Sequence, residues 1–81
     1  MSKQAYREAQ RVAPIGLRGI IACRAIVREH QAAKINEVLV DGFSASAIMQ
    51  VYDAVNDANK AKLLTLPVAR VADIAFKLIR G

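Results

Sequence analysis

The sequence predicts a mainly all-α fold, a small unit of four to five helices with a short β-hairpin or extended segment at 33–41. Three observations predict it. Apolar residues recur at helical spacing over most of the chain, most cleanly at 44–56 and 68–79. Breakers at Pro14, Asp41-Gly42 and Leu66-Pro67 cut the chain into pieces of helix length. Strand formers cluster only once, as Ile35, Val38, Leu39 and Val40. At 81 residues the chain holds one domain, 1–81, because two cores would each be too small to fold. A hydrophobic fraction of 54% against 23% charged excludes a disordered chain.

In chain order, Ser2 suits the N-cap of a first helix running through Val12, with Lys3, Arg7 and Arg11 on one stripe at i, i+4, i+8. Pro14 breaks or kinks that helix and fits the first turn of a second, about Pro14 to Gln31, which carries Ile15, Ile20, Cys23, Ile26 and Val27 inward. Gly16 and Gly19 weaken its start by about 1 kcal/mol each relative to Ala, which suits close packing or a bend. If Pro14 only kinks one long helix, positions 3, 7, 11, 18, 24 and 28 share an arc of roughly 140°, with Val12 and the inward residues opposite. Asn36-Glu37 stands where a two-residue hairpin turn belongs, although Glu suits the second position less well than Gly.

Ser44 reads as the N-cap of a helix to Asn56, with Ala47, Ile48, Val51, Tyr52, Ala54 and Val55 on its apolar face. Asn56 or Asp57 then caps a short helix to about Leu64. A last helix, from Pro67 to Arg80, carries Val68, Val71, Ala72, Ile74, Ala75, Leu78 and Ile79 on one face. Its Asp73 and Lys77 stand i, i+4 in the favourable order. The organisation is thus a basic helical segment at 1–32, the segment at 33–41, and three amphipathic helices at 44–80.

The net charge of +5 is unevenly placed. Residues 1–34 hold seven basic and two acidic side chains, whereas residues 35–81 hold five of each. The whole excess belongs to the first 34 residues, so Lys3, Arg7, Arg11, Arg18, Arg24 and Arg28 are the candidate contacts to an anionic partner. Such a stripe serves nucleic-acid phosphates without sequence preference, an acidic protein surface, or simply solvent.

Catalysis has little to work with. Cys23 is the one cysteine and His30 the one histidine. Seven positions apart on a straight helix they stand about 10 Å apart along the axis, too far for a nucleophile–base pair. Cys23 reads as a small core residue and His30 as a partner for a helix C-terminus. Asp53 and Asp57, at i, i+4, are a thin basis for a metal, and Gly16-Leu17-Arg18-Gly19 lacks the strand a phosphate loop needs. No enzyme, cofactor or metal is expected.

A helix-turn-helix is disfavoured because the turns at Asn56–Asp57 and Leu66–Pro67 lack Gly, and a ribbon-helix-helix because its half of the chain is neutral. Arg18 and Arg24 interrupt the longest apolar stretch, so neither a transmembrane helix nor a secretory leader is expected. The string Ile20-Ile21-Ala22-Cys23 imitates a lipoprotein cleavage site only loosely. A single cysteine fits the cytoplasm.

From Val40 onward the chain carries Val40-Asp41, Ser44-Ala45, Ile48-x-x-Val51-Tyr52-Asp53-Ala54-Val55-Asn56, Asn59, Lys62, Leu66-Pro67 and Ala75-Phe76-Lys77-Leu78. Over about residues 40–78 it resembles a group of small bacteriophage-encoded proteins, commonest in phages of actinobacteria and mostly without assigned function. Where those proteins tend to have Asn-Gly at the hairpin turn, this chain has Asn36-Glu37. The resemblance implies a phage origin, a place in the bacterial host cell or the virion, and no catalytic activity. Two functions follow as expectations, the first from apolar faces on helices two, three and the last that are broad for a domain this size. The first is a non-enzymatic protein–protein interaction, through self-association or contact with a phage or host protein, as a virion or assembly component or a host-factor-binding protein. The alternative is nucleic-acid binding through the basic stripe.

Overall fold

The computed structural model describes residues 2–80 and has the order α1 (Lys3–Arg11), α2 (Gly16–Glu29), β1 (Ala33–Ile35), β2 (Val38–Val40), α3 (Gly42–Ala54), α4 (Asp57–Leu64) and α5 (Val68–Arg80). This is the predicted all-α unit with its hairpin.

α3 is the centre, packed against α2 and α5. It earns that place by composition. Ala45, Ala47, Ile48, Met49 and Val51 are all buried, and small residues among them let neighbouring helices approach closely. Ile48 of α3, Val68 of α5 and Cys23 of α2 are the largest fully enclosed side chains. Ile15, Ile20 and Ile26 extend this core on the α2 side, and Val71 and Ala75 extend it on the α5 side.

The hairpin forms as the strand signal predicts, with Ala33 opposite Val40, Lys34 opposite Leu39 and Ile35 opposite Val38. Asn36 and Glu37 both take positive φ, 51° and 63°, as a two-residue turn that follows the strand twist requires. Asn36 Nδ2 also donates to the Pro14 carbonyl at 3.1 Å, which fastens the turn to the α1–α2 connection. Ile35 and Val40 point into the core, while Lys34 and Leu39 face solvent.

Pro14 breaks the chain outright, which removes the alternative of one long kinked helix. Residues 12–15 lie outside both helices, and Pro14 bridges Pro67 in the connection between α4 and α5. The Ile15 N–H donates to the Leu66 carbonyl at 2.8 Å, so the two proline breaks are sewn together. Gly16 then opens α2 at φ +62°, a conformation that costs an L-residue but not glycine. Gly19 has a different reason. A Cβ there would run into the Ile15 side chain, which is itself buried and cannot withdraw.

Several assignments change in detail. The N-cap of α3 is Asp41, not Ser44, whose N–H donates to Asp41 Oδ1 at 2.7 Å; the helix therefore starts two residues earlier, at Gly42. α3 stops at Ala54, and Asn56 rather than Asp57 caps α4 by accepting from the Asn59 N–H at 2.9 Å. Val12 is 70% exposed and Val27 37% exposed, so neither belongs to the inward face. Val12 lies in the break between α1 and α2, where the helical wheel does not continue, and Val27 sits in the last turn of α2, one position past the buried Ile26. Ala54 likewise faces solvent. Tyr52 and Phe76 are half-buried, packed against the core rather than inside it.

Candidate interaction surfaces

The basic residues are presented by two elements of very different character. α1 buries nothing, and Ser2 caps it by accepting from the Ala5 N–H at 3.1 Å. A nine-residue helix with polar residues on most sides is marginal by itself. It carries Lys3, Arg7 and Arg11 at i, i+4, i+8, all exposed. Where α1 nears the hairpin, Ser2, Lys3, Tyr6 and Arg7 line an open hollow of about 430 Å³ with Glu37.

α2 carries Arg18, Arg24 and Arg28, and the six predicted contacts do not form one stripe. Arg24 is engaged, its Nη2 and Nη1 reaching the two Asp53 carboxylate oxygens at 2.8 and 3.4 Å. That bidentate pair, above all its hydrogen bond, pushes the Arg24 pKa further up and ties α2 to α3. Arg28 lies 3.8 Å from Glu29, and Lys34 lies 4.0 Å from Glu37. Among the described residues, Lys3, Arg7, Arg11 and Arg18 have no carboxylate within 4.0 Å. The anionic-partner surface thus contracts to α1 and the first turn of α2.

The candidates for chemistry are dispersed. Cys23 is wholly enclosed, and burial pushes its thiol up to about 11, which keeps it protonated at neutral pH. His30 is the αL residue that closes α2, at φ 55°, with its N–H donating to the Ile26 carbonyl. Asp53 and Asp57 fall on different helices, and Asp53 is held by Arg24. Among the described residues no group of three or more His, Cys, Asp or Glu is arranged to hold a metal ion. No helix among them is long and apolar enough to cross a membrane.

A second surface, which sequence reasoning did not isolate, lies where α3 meets the C-terminal turns of α5. Phe43 is 79% exposed, Leu78 60% and Ile79 47%. The Phe43 ring stacks on Phe76 with centroids 6.2 Å apart, which sets it beside the end of α5. One shallow groove of about 170 Å³ is lined by Phe43, Ser46, Ala47, Gln50 and Ile79. The next, about 250 Å³, shares Gln50 and Ile79 and adds Val51, Ala54, Val55 and Leu78. Among the described residues, neither groove is lined by a charged side chain. A third hollow of about 260 Å³ continues the surface past Val55 and Leu78 to Leu63, Leu66 and Ile74, with Lys62 at its rim. The sequence signal was present, since Phe43, Ala47, Gln50 and Ala54 recur at 4-3-4 spacing. Ala47 is also buried in the core stripe, as the sequence predicts, whereas Ala54 is exposed.

The fold and its surfaces define a small helical unit with one basic arm and one uncharged apolar face. No protein-family model matches the chain, and no curated protein or solved structure matches it.

Proposed function

We propose that this chain is a small non-enzymatic binding protein that acts by meeting another protein chain. The observation that carries the reading is the contiguous uncharged face around Phe43, Gln50, Leu78 and Ile79. Large apolar side chains scattered singly over a surface are ordinary, but a joined patch of them rimmed by polar residues marks an interaction site. The unpaired cations of α1 offer a second contact, one that selects for acidic surfaces and steers encounter. With the resemblance over residues 40–78, we read the chain as a phage product that works in the bacterial host cell or the virion, as an assembly component or as a binder of a host factor.

The test uses the full chain as bait against partner extracts, beside the double variant Phe43→Ser/Ile79→Ser. Both residues are exposed, so circular dichroism should show the variant folded. A partner, a second copy of the chain included, that is held by the wild type and lost from the variant supports the reading. A wild type that stays monomeric and retains nothing beyond what the variant retains overturns it.

Nucleic-acid binding stands as the second reading because Lys3, Arg7, Arg11 and Arg18 lack carboxylate partners among the described residues. Four phosphate contacts would make duplex affinity fall on the order of 10²-fold between 50 and 200 mM salt. Arg7→Ala/Arg11→Ala should weaken such binding further, whereas no band shift even at low salt ends this reading.

A further inference from the structure

We infer that α1 is a docking arm whose folding is coupled to binding. It forms and loses its helix independently of the rest of the chain, and an acidic protein segment laid along Lys3, Arg7 and Arg11 holds it helical. The inference rests on the protein-binding reading above and gives the partner's chemistry at this end of the molecule.

The arm is separable from the domain. α1 buries no residue. Among the described residues, no hydrogen bond or ion pair joins residues 3–11 to anything outside 2–13. Anchoring begins just beyond. The Pro14 carbonyl accepts from Asn36, Pro14 bridges Pro67, and the Ile15 N–H donates to the Leu66 carbonyl. With no packing to help, α1 must hold its helix by local terms alone, and isolated helices shorter than about 12 residues are marginal in water. A segment with so few buried contacts opens without unfolding the core.

The local terms oppose one another. Ser2 caps the helix, and Arg11 suits its last turn. Against them, Lys3 stands in the first turn, and Lys3–Arg7 and Arg7–Arg11 are like-charge pairs at i, i+4. Arg7 belongs to both pairs. Carboxylates set along the row turn this repulsion into attraction, so binding and helix formation favour each other.

Charge complementarity also selects the class of partner, because the row is not uniformly basic. Glu8 lines one hollow with Lys3, Arg7 and Arg11, and Glu37 lines another with Lys3, Tyr6 and Arg7. A DNA duplex carries about one charge per 1.7 Å of its axis, so it would press phosphates against both acids. A protein segment spaces its carboxylates and leaves gaps opposite Glu8 and Glu37. A lipid surface is disfavoured too, since α1 has no Leu, Ile, Val, Phe or Met to enter it. What α1 does present is Tyr6, 54% exposed, beside Arg7 and Arg11, and Tyr and Arg are the types that dominate binding energy between proteins.

The experiment is backbone NMR of the full chain at 50 mM salt. The acidic probe is a synthetic peptide of about 20 residues with Glu at every fourth position and Ala or Ser between. A duplex of about 20 base pairs and the variant Arg7→Ala run beside it. In the free chain the amides of residues 3–11 should exchange at least tenfold faster than those of α3, and their helical shifts should fade on warming while those of α3 persist. The peptide should raise the helicity of residues 3–11 and slow their exchange at least threefold. Arg7→Ala separates repulsion from binding. It should make free α1 more helical than in the wild type, yet cut the response to the peptide at least threefold. The duplex should leave α1 unchanged. Exchange in α1 as slow as in α3 overturns the inference, as does an Arg7→Ala chain that is less helical when free or answers the peptide as the wild type does. A duplex that orders α1 as much as the peptide does, or more, also overturns it. If α1 answers neither probe while Phe43 and Ile79 still hold a partner, the protein-binding reading stands and the coupled arm is wrong.

Discussion

Gly16 and Gly42 each open a helix, yet the backbone asks different things of them. Gly16 sits at φ +62° with nothing within 4 Å of where a Cβ would be, so its constraint is conformational and not spatial. Gly42 has the same open space and an ordinary φ. Gly16→Ala should therefore destabilise the protein by about 1–2 kcal/mol, while Gly42→Ala should stabilise it by about 0.5 kcal/mol. Thermal or urea unfolding of the two variants checks this, and equal shifts of the same sign would contradict it. The same residue type at the start of two helices gives no hint of the difference. What separates them is that residues 12–15 must leave α1, bridge Pro67 and re-enter a helix, a path fixed by a contact between positions 14 and 67 of the chain.

At the scale of elements, caps and breaks decide where each helix lies. Asp41 holds the start of α3, and the N–H it accepts from Ser44 keeps its carboxyl below the ordinary value of 3.8. The ionised carboxylate is thus favoured in the folded state. Its contribution is fully present above the ordinary value and is lost as pH falls through the lowered one. Asp41→Asn keeps a capping side chain without the charge. The wild type should melt higher than Asp41→Asn at pH 6, and the gap should close as pH drops below about 3.8. A gap that stays constant down to pH 2 would contradict the assignment. The helices, their order and the hairpin at Asn36-Glu37 were legible because each is written in local chemistry: breakers, strand formers and caps. The N-cap of α3 was misplaced because Asp41, Ser44 and the Gly42 between them all suit a helix start. Choosing among them takes the hairpin geometry that delivers the chain to Asp41.

The molecule as a whole divides its surface by charge. Of the six cations read as one stripe, Arg24 is committed to Asp53 and Arg28 lies near Glu29, which leaves α1 and Arg18 as the basic arm. The count of cations was plain in the sequence. Their pairing was not, because Arg24 and Asp53 are 29 positions apart and meet only when α2 packs on α3. The uncharged face was hidden for a related reason, since one helical wheel serves α3 both for its core stripe and for the seam beside it. The proposed function rests on that face, and the basic arm is secondary to it. The most direct test is sedimentation velocity of the full chain with and without a duplex of about 20 base pairs, at 50 and 200 mM salt. The account predicts no co-sedimentation with the duplex at either salt concentration, and that any association of the protein alone is the same at both. A chain that stays monomeric by itself, and sediments with the duplex at 50 mM salt but not at 200 mM, would contradict it.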